Sequence, residues 1–201
     1  MKVKKMDVLK LIKNRQTVRK YKNSPISKNI IEQIIEAGRW GPSVHGFQPW
    51  RFIVITNVSL IRGISNILLK KAAEIGSGID RFLSSTAKTI ANAPFIILVY
   101  NTNILKEISF KLYKINKKYI KIAELSEMEA ISAAIQNMML LADNYGIGSC
   151  WNTIPLFCEK KINKLVGNND QLLAVITMGY PAEKSKRTPR KSINKIVQYI
   201  H

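Results

Sequence analysis

The sequence is short of acids, histidine and cysteine: 13 Asp plus Glu stand against 32 Lys plus Arg, with 2 His and 2 Cys in 201 residues. Cys150 and Cys158 are too few for a disulfide framework. With two histidines they also argue against a structural zinc site, so no metal is expected. No apolar run approaches the roughly 20 residues of a membrane helix, which excludes a helical spanning protein. The segment Met1-Lys2-Val3-Lys4-Lys5-Met6-Asp7 is basic but has no apolar stretch behind it. It reads as the start of a cytoplasmic protein rather than as a secretory signal. Gly-x-Ser-x-Gly, a P-loop and a Gly-x-Gly-x-x-Gly opening a helix are all missing. General bases are scarce as well, His45 being the one internal histidine. An enzyme so poor in acid–base groups relies most easily on a cofactor.

What is present is a hydrophobic content of 46% and a net charge of +19. The first suits one domain, residues 1–201, with a sizeable core. The second has two readings. A basic surface suits nucleic acid, with Lys106 to Lys121 as the contact helix. The excess is mostly lysine, however, alongside heavy use of Ile and Asn, which is what AT-rich codons give.

Apolar residues at 8, 9, 11 and 12 predict a short amphipathic helix over 6–14. Ser27 is the expected N-cap of a helix that carries Ile30, Ile31, Ile34 and Ile35 on one face and stops before Gly41-Pro42. Residues 52–55, 94–100 and 172–180 read as three strands. Residues 58–71, 80–91, 104–121 and 158–166 read as helices. A long helix rich in Ala, Met and Leu is expected from a cap at Ser126 to Tyr145, buried on nearly all faces. Gly146-Ile147-Gly148 then ends it. Separated strands with helices between them predict a layered α+β domain.

Three polar clusters carry the chemistry. Arg15-Gln16-Thr17-Val18-Arg19 sets two guanidinium forks four residues apart around a hydroxyl, which suits a phosphate and equally a solvated basic stretch. Gly41-Pro42-Ser43-Val44-His45-Gly46-Phe47-Gln48-Pro49-Trp50 is a rigid loop before a strand, a common address for function. Arg187-Thr188-Pro189-Arg190-Lys191 follows the last strand and either closes on the same anion or is a basic tail.

Taken in order, Arg15-x-Thr17-x-Arg19, Pro42-Ser43 with Gln48-Pro49-Trp50-Arg51-Phe52, Gln136-Asn137 with Gly146-Ile147-Gly148-Ser149-Cys150-Trp151, and Gly179-Tyr180-Pro181 with Pro189-Arg190-Lys191 resemble the FMN-dependent nitroreductase family. The match spans about residues 6 to 197. It implies a mainly antiparallel sheet wrapped by helices around a long central helix. It also implies an intertwined homodimer with FMN at the interface, and residues 181–201 as an extension packed on the partner subunit. By resemblance, Arg15, Gln16, Thr17 and Arg19 bind the FMN phosphate and ring edge. Pro42, Ser43, Val44 and Gln48 come from the partner subunit and line the flavin. Thr153 and Ile154 approach flavin N5. Arg190 binds the phosphate with help from Arg187 or Lys191. His45, Phe110, Tyr113 and Tyr119 are the expected substrate-pocket residues.

Two positions depart from the family pattern. Gly46 stands where Asn is frequent, and Thr188 stands where a basic residue is frequent. The implied activity is hydride transfer from NAD(P)H through FMN to a nitroaromatic, quinone or similar acceptor, in ping-pong order, with no protein nucleophile. The same fold also hosts enone reduction, reductive dehalogenation, flavin fragmentation and azoline oxidation. A nucleic-acid-binding module is the remaining alternative, and it leaves the Pro-Ser loop and the Gln-Pro-Trp motif without a role.

Overall fold

Residues 7–76, 78–112, 117–185 and 187–200 are described by the computed structural model, with the side chains of Leu112 and Lys117 set aside. In chain order the elements are α1 (Val8–Asn14), α2 (Lys28–Arg39), β1 (Trp50–Ile55), α3 (Val58–Ile75), α4 (Ile79–Ala91), β2 (Phe95–Asn101), α5 (Ile104–Leu112), α6 (Lys117–Asn144), β3 (Gly148–Asn152), α7 (Glu159–Val166) and β4 (Gln171–Gly179). The strands form one antiparallel sheet in the order β1-β2-β4-β3.

β2 explains the layering. All seven of its residues are buried. Side chains alternate across a strand. Phe95, Ile97 and Val99 therefore meet Ile31, Ile34, Ile131, Ile135 and Met138 of α2 and α6 on one face. Ile96, Leu98 and Tyr100 meet Ile61, Ile64, Leu68, Leu83 and Ile90 of α3 and α4 on the other. Each such side chain taken fully out of water contributes about 1.5–3 kcal/mol. A central strand buried on both faces reads as a continuous apolar run, which is why β2 is the plainest strand in the sequence.

Side-chain caps fix three helix starts. Ser27 Oγ accepts from Ile30 N at 3.4 Å, Asp7 Oδ1 from Lys10 N at 3.0 Å and Asn57 Oδ1 from Leu60 N at 3.1 Å. Each satisfies a backbone donor that the helix leaves unpaired.

Four expectations are corrected. Ser126 does not cap the long helix, which runs back to Lys117. Buried Ala123, Glu127, Ala130, Ile131 and Ala134 continue the helical spacing through Ser126. Nor is that helix buried all round, since Ile122, Leu125 and Met128 lie exposed on one side. A fourth strand, β3, starts at Gly148 just past the end of that helix and takes in residues 149–152, which carried no expectation, and the expected 104–121 helix is divided between α5 and α6. Trp151 on β3 faces outward. Met138, Met139, Cys150 and Cys158 are buried. Burial pushes both thiols up, away from the reactive thiolate. Among the described residues no helix is long and apolar enough to cross a membrane.

Candidate functional site

The Arg15–Arg19 segment lies along the outer edge of β3. Thr17 forms a parallel bridge with Ser149, and Val18 N donates to Ser149 O at 2.9 Å. Val18 points into the core, over Gly148. A Cβ on Gly148 would come within 2.6 Å of Val18 Cβ, so the approach requires glycine. Tyr21 also turns inward. Its hydroxyl donates to Val18 O at 2.6 Å and lies 2.8 Å from Thr177 Oγ1. Burial drives that phenol well above its ordinary pKa. With Val18 and Tyr21 locked inward, alternation turns Thr17 and Arg19 toward the opposite side.

There they meet the C-terminal segment. A cleft of about 430 Å³ is lined by Ile12, Lys13, Arg15, Gln16, Thr17, Arg19, Arg187, Thr188 and Arg190. Five of these residues are cationic and none is a carboxylate. Gln16 ties the two segments together. With its amide turned to satisfy both neighbours, it donates to Ser185 O at 2.7 Å and accepts from Arg187 Nε at 3.0 Å. Arg187 Nη2 also donates to Asn14 Oδ1 at 2.9 Å, and Arg190 Nη1 donates to Thr188 O at 3.4 Å. Arg15 Nη1 is buried and has no hydrogen-bond partner among the described residues. A buried donor left unmade costs about 1–3 kcal/mol, and more when charged. Asp143 lies near enough for the Arg15 charge to act on it. Burial nevertheless leaves the Asp143 carboxyl above its usual range, with Arg15 pulling it partly back.

The donor set fits a phosphate monoester. Such a group carries nearly two negative charges and several acceptor oxygens, and guanidinium forks match it. The orphaned Arg15 nitrogen supplies a donor that an anion would satisfy. Thr188, where the family pattern prefers a base, lines the cleft itself, and Arg187 beside it joins the lining. Lys191 is exposed and lies outside it.

The second predicted set is elsewhere. Pro42, Ser43 and Val44 line a separate shallow groove of about 370 Å³ with Ser126, Glu129 and Ala130. The two clefts share no residue. Gly41 seats this loop on α6, because a Cβ there would stand 3.0 Å from Ala134 Cα. The loop backbone is strained: His45 and Gln48 have φ of 49° and 50°. Such conformations cost about 1–3 kcal/mol each and persist where surroundings impose them. Here Ser43 Oγ accepts from Gln48 N at 3.2 Å, and Gln48 Nε2 donates to Gly46 O at 3.4 Å. Gly46, the other departure from the family pattern, has φ 70° and suits a position that glycine adopts most easily.

The remaining candidates are scattered in the single chain. Thr153 is exposed ahead of the 3-10 turn Ile154–Cys158, and Ile154 packs against the α3–α4 side of the core. Neither lines the cationic cleft. His45 is exposed, edge-on to Phe47 with ring centres 6.1 Å apart. Phe110 on α5 and Tyr119 on α6 are exposed, and Tyr113 lies outside the described residues. Sequence reasoning missed Ile12, Lys13 and Thr188 as cleft residues. The basic spacing of Lys13 and Arg15 was the available signal for Lys13. It also missed Trp40, which is 73% exposed yet held in place. Its indole donates to Glu36 Oε1 at 2.8 Å, and the Arg39 guanidinium lies 5.3 Å from the ring.

The sequence match to the Nitroreductase family covers residues 12–180 and so takes in the Arg15–Arg19 segment, the Pro-Ser loop and the whole sheet. The chain belongs to the nitroreductase family. Among curated relatives, a Bacillus subtilis protein provisionally named NAD(P)H nitroreductase YfhC is 27% identical, covering 89% of this chain and 88% of its own length. Iodotyrosine deiodinase of Nematostella vectensis is 26% identical, covering 98% and 76%. Among solved structures, a BluB-like flavoprotein from Clostridium difficile 630 is 27% identical with a TM-score of 0.80, covering 98% of this chain and all of the other. A protein described as a nitroreductase of Desulfovibrio desulfuricans, solved in complex with FMN, shares the nitroreductase fold at 24% identity and a TM-score of 0.72, covering 98% and 99%.

Proposed function

We propose that this nitroreductase-family chain is an NAD(P)H-dependent flavin oxidoreductase that holds FMN between two copies of itself. The observation that carries the reading is the acid-free cleft with four arginines and one orphaned guanidinium nitrogen. FMN, when bound, supplies the chemistry that passes hydride from NAD(P)H to a nitroaromatic, quinone or similar acceptor. The chain's own residues bind and orient it. Arg15, Arg19, Arg187 and Arg190 neutralise the phosphate, and Thr17 offers a hydroxyl to it. Gln16 keeps the tail against the first segment, so the cradle stays closed.

What one chain leaves incomplete supports a dimer. Pro42, Ser43, Val44 and Gln48 lie apart from the cationic cleft, so a site with both sets needs the loop of a second copy. Apolar faces remain uncovered to receive it. Val8, Leu9 and Ile12 leave α1 without a buried residue, and Ile193, Ile196 and Ile200 are exposed on the tail. Exposed apolar residues grouped in short segments suit an interaction surface. The end of the extension, residues 191–200, packs on the partner, and the Thr153–Ile154 backbone approaches the flavin ring.

Purification tests the reading. The protein should carry, or take up, one FMN per chain, and NADH or NADPH should bleach its visible absorption. A protein that stays colourless after incubation with FMN contradicts the reading. The deiodinase relative keeps reductive dehalogenation as the second chemistry of the same site. Loss of halide from a halogenated phenol with no turnover of nitroaromatics or quinones would select it.

A further inference from the structure

α5, like α1, lies outside the core. None of residues 104–111 is buried, and the helix packs on α6. Burial therefore does not set its position. A carboxylate does. Glu127 of α6 is 1% exposed. Its Oε1 accepts from Leu105 N at 2.7 Å and Lys106 N at 3.4 Å, and its Oε2 accepts from Asn101 Nδ2 at 3.0 Å. Asn101, at the end of β2, is equally buried, and its Oδ1 accepts from Asn103 N at 3.0 Å. One side chain thus joins the central helix, the end of the central strand and the first turn of α5. A negative group at a helix N-terminus also meets the positive end of the helix dipole. The other strap, Lys106 Nζ to Glu124 Oε1 at 2.6 Å, is exposed and worth little.

The same turn reaches the Pro-Ser loop. Thr102 donates from both N (2.9 Å) and Oγ1 (3.1 Å) to Pro49 O, one residue after Gln48. α5, which carries Phe110, is therefore fastened at its start to the segment proposed to line the flavin.

We propose that Glu127 is a latch that fixes the pose of α5 and so acts as a positioning residue for the acceptor. This rests on the flavoenzyme reading for its consequence, but not for its geometry. With the latch made, α5 starts at one place and presents Phe110 in one direction. With the latch removed, only the half-buried packing on α6, the exposed Lys106–Glu124 pair and the Thr102 bonds remain, and the helix opens locally while the twin cores stay folded.

Amide hydrogen exchange on the purified full-length chain tests the latch without flavin. In Glu127→Gln a donor replaces one carboxylate oxygen and faces Leu105 N–H or Asn101 Nδ2. The amides of 105–112 should then exchange about tenfold faster or more, with those of β2 and β4 unchanged. Glu127→Asp withdraws the carboxylate by one methylene and should give the same pattern in weaker form, which covers a failure of the first variant to fold. Unchanged exchange in α5, or equal acceleration in α5, β2 and β4, overturns the latch. On the FMN-loaded protein the KM for a nitroaromatic acceptor should rise several-fold, with the rate of flavin reduction by NAD(P)H unchanged. An unchanged KM with a loosened α5 overturns the positioning role, and an inability to bind FMN leaves the exchange result standing on its own.

Discussion

Val18 lies directly over Gly148, at a separation that leaves no room for a Cβ. The contact converts a sequence feature into a site. Because Val18 is drawn into the core against β3, its neighbours Thr17 and Arg19 are presented to the cleft, and Arg15 follows at the end of α1. The first half of the cradle is seated against the sheet edge, so its placement derives from the core.

Gly148→Ala should damage both. The new methyl would overlap Val18, and overpacking of a well-filled site costs about 1–3 kcal/mol. Denaturant unfolding should show that loss, and FMN titration should show weaker binding from a displaced Arg15–Arg19 segment. Unchanged binding would separate the cradle from the β3 contact.

Arg15→Ala should separate stability from function. The variant removes a buried guanidinium nitrogen that has no hydrogen-bond partner among the described residues. The flavin-free protein should therefore unfold at the same denaturant concentration as the unaltered chain, or a higher one. FMN affinity should fall by about 1.5–3 kcal/mol, the range for hydrogen bonds to charged groups. Paired unfolding and titration measurements decide this.

The chain should sediment as a dimer, and removing residues 193–201 should shift it toward monomer. The exposed Ile193, Ile196 and Ile200 are the reason. Since the two residue sets occupy separate clefts in one chain, the truncated monomer should also lose flavin. A truncated chain that remains dimeric would show that the tail is not the clasp.

Glu36 should titrate far below an ordinary carboxylate. Hydrogen bonds from Arg39 and then from the Trp40 indole lower its pKa from 4.5 to about 2. A depressed acid contributes its stabilisation above its unfolded pKa and loses it as pH falls through the folded one. The Trp40 indole N–H resonance should therefore hold its position at pH 4 and move only near pH 2. A midpoint near the ordinary value would show that Trp40 is not held.

β2 and β4 were legible because a strand buried on both faces is written as an unbroken apolar run. β3 was not, since Gly148-Ser149-Cys150-Trp151-Asn152 carries no β-branched residue and is shaped by its pairing with β4. Ser126 looked like a cap because capping chemistry is local, whereas the start of α6 is set by packing further along. Spacing left the arginines open between a phosphate site and a solvated basic stretch, and only the family resemblance joined Arg15 and Arg19 to Arg187 and Arg190. Ile12 joined them only through the fold. That the Pro-Ser loop and the cradle are separate in one chain was implied by resemblance, and no local pattern contains it.

The central claim is that the arginine cleft holds the phosphate of FMN. Comparing FMN with riboflavin, which lacks only that phosphate, tests it most directly. Titration of the flavin-free protein should give FMN binding at least one hundredfold tighter, about 2.7 kcal/mol or more from charge-assisted contacts. The advantage should shrink to about tenfold or less in Arg190→Ala. Equal affinity for the two flavins would contradict the account.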